Sequence, residues 1–213
     1  PFTGNREFKQ NHRMIVAAEG RYLTAADGRK IFDGLSGLWT TGLGHCRPEI
    51  VKAISEQTAT LDFFSGFQFG HPKAFQLAER ITQFMPEGLN RVFYTGSGSE
   101  SADTSLKMAR AYWRKKGIAS KTRLIGRAKG YHGVNFGGIS VGGIVGNRAT
   151  FGQTIESDHL AHTMLPENTF SRGMPEQGAH LADELLSMIA LHDSSNIAAV
   201  IVEPMAGSAG VIP

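Results

Sequence analysis

The residues best placed to do chemistry form one short run, Thr95-Gly96-Ser97-Gly98-Ser99-Glu100. It follows the apolar triplet Val92-Phe93-Tyr94, which predicts a strand, and precedes a long helical pattern. Glycines let a backbone approach an anion closely, and a helix start offers unpaired N–H groups with a partial positive charge. Ser97 and Ser99 add hydroxyl donors, and a charge-assisted hydrogen bond of this kind is worth about 1.5–3 kcal/mol. The run is suited to a phosphate, although the same residues also describe an ordinary serine cap after a glycine turn. Two other phosphate loops are excluded. A dinucleotide fingerprint needs a third glycine where Ser101 stands, and a P-loop needs a Gly-Lys pair that the chain lacks.

Two further sites join it. Gly130-Tyr131-His132-Gly133 sets an aromatic between glycines soon after a strand pattern, where a ring can lie on a planar ligand. Such stacking adds about 0.5–1.5 kcal/mol beyond burial, but the run taken alone better describes a surface turn with an incidental tyrosine. Glu203-Pro204 closes the most apolar stretch, Ile197 to Val202. The carboxyl end of a central parallel strand is where open α/β sheets bind ligands. A carboxylate buried there must meet a cation or a donor; a solvent-facing strand end is the alternative.

The elements that must position these residues follow from periodicity. Ile15-Val16-Ala17, Arg21-Tyr22-Leu23 and Lys30-Ile31-Phe32 predict short strands punctuated by Glu19-Gly20, Asp27-Gly28 and Asp33-Gly34. One helix is expected from Pro48, with Val51, Ile54, Thr58 and Leu61 on a face, and another from Pro72, with Ala74, Leu77, Ala78, Ile81 and Met85. Ala102, Leu106, Ala109 and Trp113 mark the long helix after the phosphate run. Its Arg114-Lys115-Lys116 end complements the helix dipole rather than forming a nucleic-acid patch. Arg123 to Gly126 is the next strand, and a helix over Leu181 to Leu191 leads into the strand at Ile197. This alternation predicts an α/β domain with a mainly parallel sheet. Between Gly133 and Arg172 the glycines and polar residues predict long loops on the active-site side.

Bulk properties narrow the function. With 41% hydrophobic and 19% charged residues the chain supports a packed core rather than disorder. A net charge of +3, spread without long basic runs, gives no footprint for nucleic acid. The longest apolar run is far too short to span a bilayer. No signal peptide is visible, although the chain opens on Pro1, and the lone Cys46 fits a reducing compartment, so a soluble cytoplasmic protein is expected. His159 and His162 have no HExxH motif or cysteine pair beside them, so no metal site is expected. Gly138-Ile139-Ser140-Val141-Gly142 satisfies G-x-S-x-G, the mark of a hydrolase nucleophile, but a poor helix start follows it.

Taken together, Pro1-Phe2-Thr3, Asp33-Gly34, Trp39, Gly44-His45, His71-Pro72, Tyr94 to Glu100, Tyr131-His132-Gly133 and Glu203-Pro204 occur in the order and approximate spacing of a known family. The chain resembles the N-terminal half of a class III aminotransferase, a pyridoxal-phosphate (PLP) enzyme. The run Arg127 to Arg148 is similar to the β-alanine (ω-amino acid):pyruvate branch. The resemblance implies PLP fold type I, the aspartate-aminotransferase-like fold. Residues 1–61 would be a β-rich N-terminal segment of the small domain, and 62–213 the N-terminal part of the large PLP-binding domain. It implies at least a homodimer with active sites at the subunit interface.

By the same resemblance Ser97, Gly98 and Ser99 hold the cofactor phosphate, Tyr131 stacks on the pyridine ring with His132 beside it, and Glu203 lies by the ring hydroxyl. Phe2, Trp39 and Phe67 would line the substrate pocket together with Tyr131, Phe67 being a candidate to do so from across the interface; core packing is the alternative for these three. The family's cofactor-linking lysine, its aspartate for the ring nitrogen and a phosphate-binding threonine fall after the segment matching Gly210 to Pro213, so no catalytic residue is expected on this chain. Lys129 is expected at the surface. The reaction implied for the complete protein is ping-pong transamination from an ω-amino acid such as β-alanine, or an amine, to pyruvate or another keto acid. A truncated or degenerate homologue serving as a dimer subunit or binding scaffold is the other reading.

Overall fold

Alternating residues and tight turns at the start of the chain produce an antiparallel meander of β1 (Ile15–Glu19), β2 (Tyr22–Ala25) and β3 (Lys30–Phe32) in the computed structural model, which describes residues 4–212. Glu19 pairs with Tyr22 across a two-residue turn whose Gly20 has φ +55°, a region glycine enters without steric cost. A short helix, α1 (Asn5–Gln10), precedes the meander, and a four-residue turn, α2 (Ser36–Trp39), follows it. Helices α3 (Pro48–Thr60) and α4 (Pro72–Thr82) begin at the predicted prolines, and His71 Nδ1 caps α4 by accepting the N–H of Lys73 at 3.0 Å. Met85, expected on the second helix, lies beyond its end.

The chain divides into two compact units, residues 1–84 and 85–213. The boundary expected after Leu61 falls inside the first unit.

The second unit is built on α5 (Gly98–Lys115) and a parallel sheet in the order β5 (Ser157–Leu160), β4 (Arg123–Arg127), β6 (Ile197–Val200). Arg114 and Lys115 occupy the last turn of α5, where the helix dipole favours cations. Leu106, Leu124, Val141 and Ala198 form the core, with Trp113 packed against it and its indole N–H bonded to Ala198 O at 2.7 Å. Central β4 is flanked on both sides, and Leu124 and Ile125 are fully buried.

Three expectations are corrected. Residues 92–94 form no strand, because an apolar run becomes a strand only through a neighbour's ladder, and this one joins neither sheet. The stretch expected as loops holds α6 (Phe136–Val141), α7 (Val145–Phe151) and β5. The helix expected from Leu181 opens as a 3-10 turn over Ala179–Asp183 and becomes α8 at Glu184–His192.

Glycines in α6 and on the strand beside it are there for close packing rather than flexibility. A Cβ on Gly126 would overlap the carbonyl oxygen of Val141, and one on Gly138 would overlap that of His132. Backbone cannot yield as a side-chain tip does, so Gly126→Ala is expected to cost about 3 kcal/mol or more. A denaturant melt reads this directly, and an unchanged midpoint would contradict the packing described.

Candidate functional site

Three loops meet at the carboxyl ends of β4 and β6, all within the second unit. The first is the start of α5. Ser97 is its N-cap, and Ser97 Oγ accepts the N–H of Glu100 at 3.2 Å. Glu100 reaches back to accept the amide of Gly96 at 2.7 Å, a variant of the capping box. Ser99 Oγ accepts the N–H of Val134 at 3.0 Å. Both hydroxyls therefore keep an O–H to donate, with no acceptor for either among the described residues. The amides of Gly98 and Ser99 are among those a helix leaves without internal partners. A Cβ on Gly98 would meet nothing within 4 Å, so the space before these donors is open. Two hydroxyls, two amides and the positive end of an 18-residue helix are thus grouped at residues 97–99, a set whose chemistry fits a phosphate dianion.

The second loop leaves β4 through Lys129 and Gly130. Its fit against α5 is tight: a Cβ on Gly133, which has φ +95°, would come within 2.7 Å of Ser99 Cα. Tyr131 is 38% exposed. His132 is half-buried, and burial holds its imidazole below the usual histidine range, with the nearby Glu203 charge working against that. It is a neutral ring near pH 7, and its Nε2 has no hydrogen-bond partner among the described residues. Lys129, expected at the surface, is half-buried with φ +66°.

The third element is Glu203, beyond the end of β6. Its carboxylate accepts the N–H of Tyr131 at 2.8 Å, and Arg127 at the end of β4 donates to the Glu203 carbonyl at 2.8 Å. The donor that a half-buried carboxylate requires is thus the backbone of the aromatic loop, which ties Glu203 and Tyr131 together.

The structure brings Ser97, Gly98, Ser99, Tyr131, His132 and Glu203 into one region. Trp39 and Phe67 belong to the first unit, where neither is core: Trp39 is 63% exposed and Phe67 85%. Phe2 lies outside the described residues. Two residues that hold the site together escaped the sequence reading. Asp103 accepts the N–H of Gly138 at 2.9 Å and joins α5 to α6. It stands four residues after Ser99 and three before buried Leu106, so the helical stripe pointed to it. Arg127 closes a strand whose other charged residue, Arg123, lies on the same face, and the alternation of β4 was the available signal.

Ser140 is no nucleophile. It is fully buried on α6, where its hydroxyl donates to Phe136 O at 2.7 Å and accepts the amides of Thr154 and Ile155 at 3.1 and 3.2 Å. It organises backbone, and the strand-turn-helix setting of a hydrolase elbow is absent there. His159 Nε2 is engaged with Gly142 O at 2.8 Å. No helix among the described residues is long and apolar enough to cross a membrane.

Comparison with known proteins accords with this geometry. The family model for class III aminotransferases matches residues 3–213. The chain is 62% identical over 213 residues to the β-alanine–pyruvate aminotransferase of Pseudomonas aeruginosa, covering 100% of this chain and 48% of that protein. It is 60% identical over 214 residues to the omega-amino acid–pyruvate aminotransferase of Pseudomonas putida, again covering 100% of this chain and 48% of the relative. Among solved structures, an amine transaminase from an uncultivated Pseudomonas species in its PLP-bound form matches with a TM-score of 0.89 and 34% identity, over 100% of this chain and 49% of that one. The chain spans about half the length of the curated relatives it matches.

Proposed function

The chain belongs to the class III aminotransferases, and on that footing we propose that the protein moves an amino group from an ω-amino acid such as β-alanine, or another amine, to pyruvate or a related keto acid, with PLP as cofactor. The observation that carries the reading is the anion seat at the start of α5, set against the aromatic loop and Glu203. When bound, PLP supplies a reactive carbonyl and an electron-withdrawing ring. Ser97, Gly98 and Ser99 hold its phosphate through hydroxyls and helix amides. Tyr131 serves the ring face, with His132 a neutral neighbour and Glu203 fixing the loop through the Tyr131 amide. Trp39 and Phe67 are assigned to the substrate pocket, in keeping with their exposure, and Phe2 with them. No catalytic residue is assigned among the described residues; the cofactor-linking lysine and the aspartate for the ring nitrogen are taken to lie outside them.

Residues 62–213 are read as part of the large cofactor-binding domain and 1–61 as a small-domain segment. A homodimer fits the apolar side chains left open in the first unit, among them Phe63 at 80% and Phe69 at 74% exposure. The lone thiol, Cys46, supports a cytoplasmic setting.

The experiment is an amino-transfer assay on the complete protein, following alanine formed from pyruvate with β-alanine, other ω-amino acids and simple amines as donors. Transfer from at least one of these with added PLP is expected, and no transfer from any of them overturns the proposal. Tyr131→Ala is expected to weaken PLP binding about two- to ten-fold, the loss of one ring contact. Wild-type affinity in that variant would remove Tyr131 from the ring face.

A further inference from the structure

Two sequence motifs, Asp33-Gly34 and Gly44-His45, have no part in the chemistry above, yet their side chains meet. His45 Nε2 lies 2.7 Å from Asp33 Oδ2, and the two side chains are only 17% and 10% exposed. The same carboxylate accepts the N–H groups of Leu35 at 3.2 Å and Gly37 at 2.9 Å. Both residues are anchored by backbone to the turn between β1 and β2. Asp33 N–H donates to Arg21 O at 2.9 Å, His45 N–H to Gly20 O at 2.7 Å, and Gly20 N–H returns to His45 O at 3.0 Å. Asp33 and His45 therefore close the neck of a loop over residues 34–44.

Above that neck the backbone is unusual. Ser36, Gly37, Leu38 and Trp39 have consecutive φ values of +49°, +59°, +62° and +68°. L-residues avoid a left-handed turn because Cβ crowds the following carbonyl, and such a turn persists only where its surroundings over-determine it. Here the over-determination is visible: the Asp33 carboxylate holds the amides of Leu35 and Gly37, and Thr40 Oγ1 donates to Gly37 O at 2.7 Å. Gly37 is needed as well, since a Cβ there would lie 2.9 Å from Thr41 Oγ1. What the turn displays is apolar and open, with Leu38 69% and Leu43 76% exposed beside Trp39. Strain maintained under exposed apolar side chains serves their placement, because it buries nothing.

We propose that Asp33 and His45 are positioning residues for donor selection: their contact holds the left-handed turn 36–39 and thereby fixes the indole of Trp39 against the amine donor. The inference rests on the reading of Trp39 as a substrate-pocket residue. The bond from His45 and the two amides keeps the Asp33 carboxyl below its ordinary range, so it accepts all three as an anion. Without that acceptor the amides of Leu35 and Gly37 lose their partner, and the turn can relax toward right-handed backbone, carrying the indole with it.

The test compares kcat/KM for β-alanine with that for 1-phenylethylamine in the complete protein, in wild type, Asp33→Ala, Trp39→Ala and the double variant. Each single variant is expected to shift the ratio by roughly ten-fold or more, toward the bulkier donor. The double variant shifts it no further than Trp39→Ala alone, because the two residues act in series. PLP affinity stays at the wild-type value, and Asp33→Asn, which keeps one oxygen for the Gly37 amide, shows a smaller shift in the same direction. Should Asp33→Ala fail to fold, Asp33→Asn and His45→Gln enter the same cycle. Additive shifts, or a wild-type ratio in the Asp33 and His45 variants, overturn the inference and leave Trp39 in the pocket. A wild-type ratio in Trp39→Ala removes Trp39 from the pocket and the inference with it.

Discussion

Gly133→Ala is expected to remove cofactor retention while leaving the parallel sheet folded. Two costs fall on the same atom. At φ +95° a Cβ crowds its own backbone, costing about 1–2 kcal/mol. That Cβ would also stand 2.6 Å from Ser99 Oγ and 2.7 Å from Ser99 Cα, so the aromatic loop must withdraw from the start of α5. Withdrawal breaks the bond from Val134 N–H to Ser99 Oγ and parts the phosphate seat from Tyr131. The combined loss, about 3 kcal/mol or more, corresponds to on the order of a hundred-fold in affinity. Leu124, Ile125 and Val141 are fully buried and none of them takes part in this contact, so cooperative unfolding is expected to persist. Gly146→Ala is the control, because a Cβ there meets nothing within 4 Å. A PLP titration of the two variants beside a thermal melt reads the prediction. Equal affinity in both would show that the loop and the helix start do not need their close approach.

Much of the architecture was legible because the signals were local. The meander over residues 15–32 announces itself through turns of two and four residues, and α3, α4 and α5 begin where a proline or a serine cap predicts them. What stayed hidden was non-local. Gly137 and Gly138 read as loop because glycine disfavours helix, whereas they sit on α6 so that Asp103 and the His132 carbonyl can approach. Val92-Phe93-Tyr94 has the composition of a strand, but composition cannot report which ladder a segment will join.

The site divides along the same line. Ser97-Gly98-Ser99 could be read as an anion seat from three adjacent residues and the helix after them. Glu203 could be recognised as needing a donor, but not that the donor would be the amide of Tyr131, 72 residues away. Asp33 and His45 stand 12 residues apart, each in a motif without an evident role, and only the fold shows that they meet. Trp39 read as a pocket residue from resemblance, while the left-handed backbone that carries it left no mark in the sequence.

Joint substitution of Ser97→Ala and Ser99→Ala removes both hydroxyls of the proposed phosphate seat. Each serine accepts one backbone N–H and retains one O–H, so in the proposed seat each would offer one donor to a dianion, worth about 1.5–3 kcal/mol. Neighbouring donors to one anion are not strictly additive, so the pair is expected to weaken PLP roughly a hundred- to ten-thousand-fold. Loss of the Ser97 cap alone costs α5 about 1 kcal/mol of stability, a far smaller effect that a melt separates from the binding loss. Ser97→Thr with Ser99→Thr retains both hydroxyls and serves as the conservative comparison. The measurement is the PLP dissociation constant of the complete protein, by absorbance titration, for wild type and both double variants. With the phosphate seated at the start of α5, a loss of at least about a hundred-fold is expected in the alanine pair, and a much smaller one in the threonine pair. A wild-type dissociation constant in the alanine pair would contradict this placement, and would put the phosphate somewhere other than the start of α5.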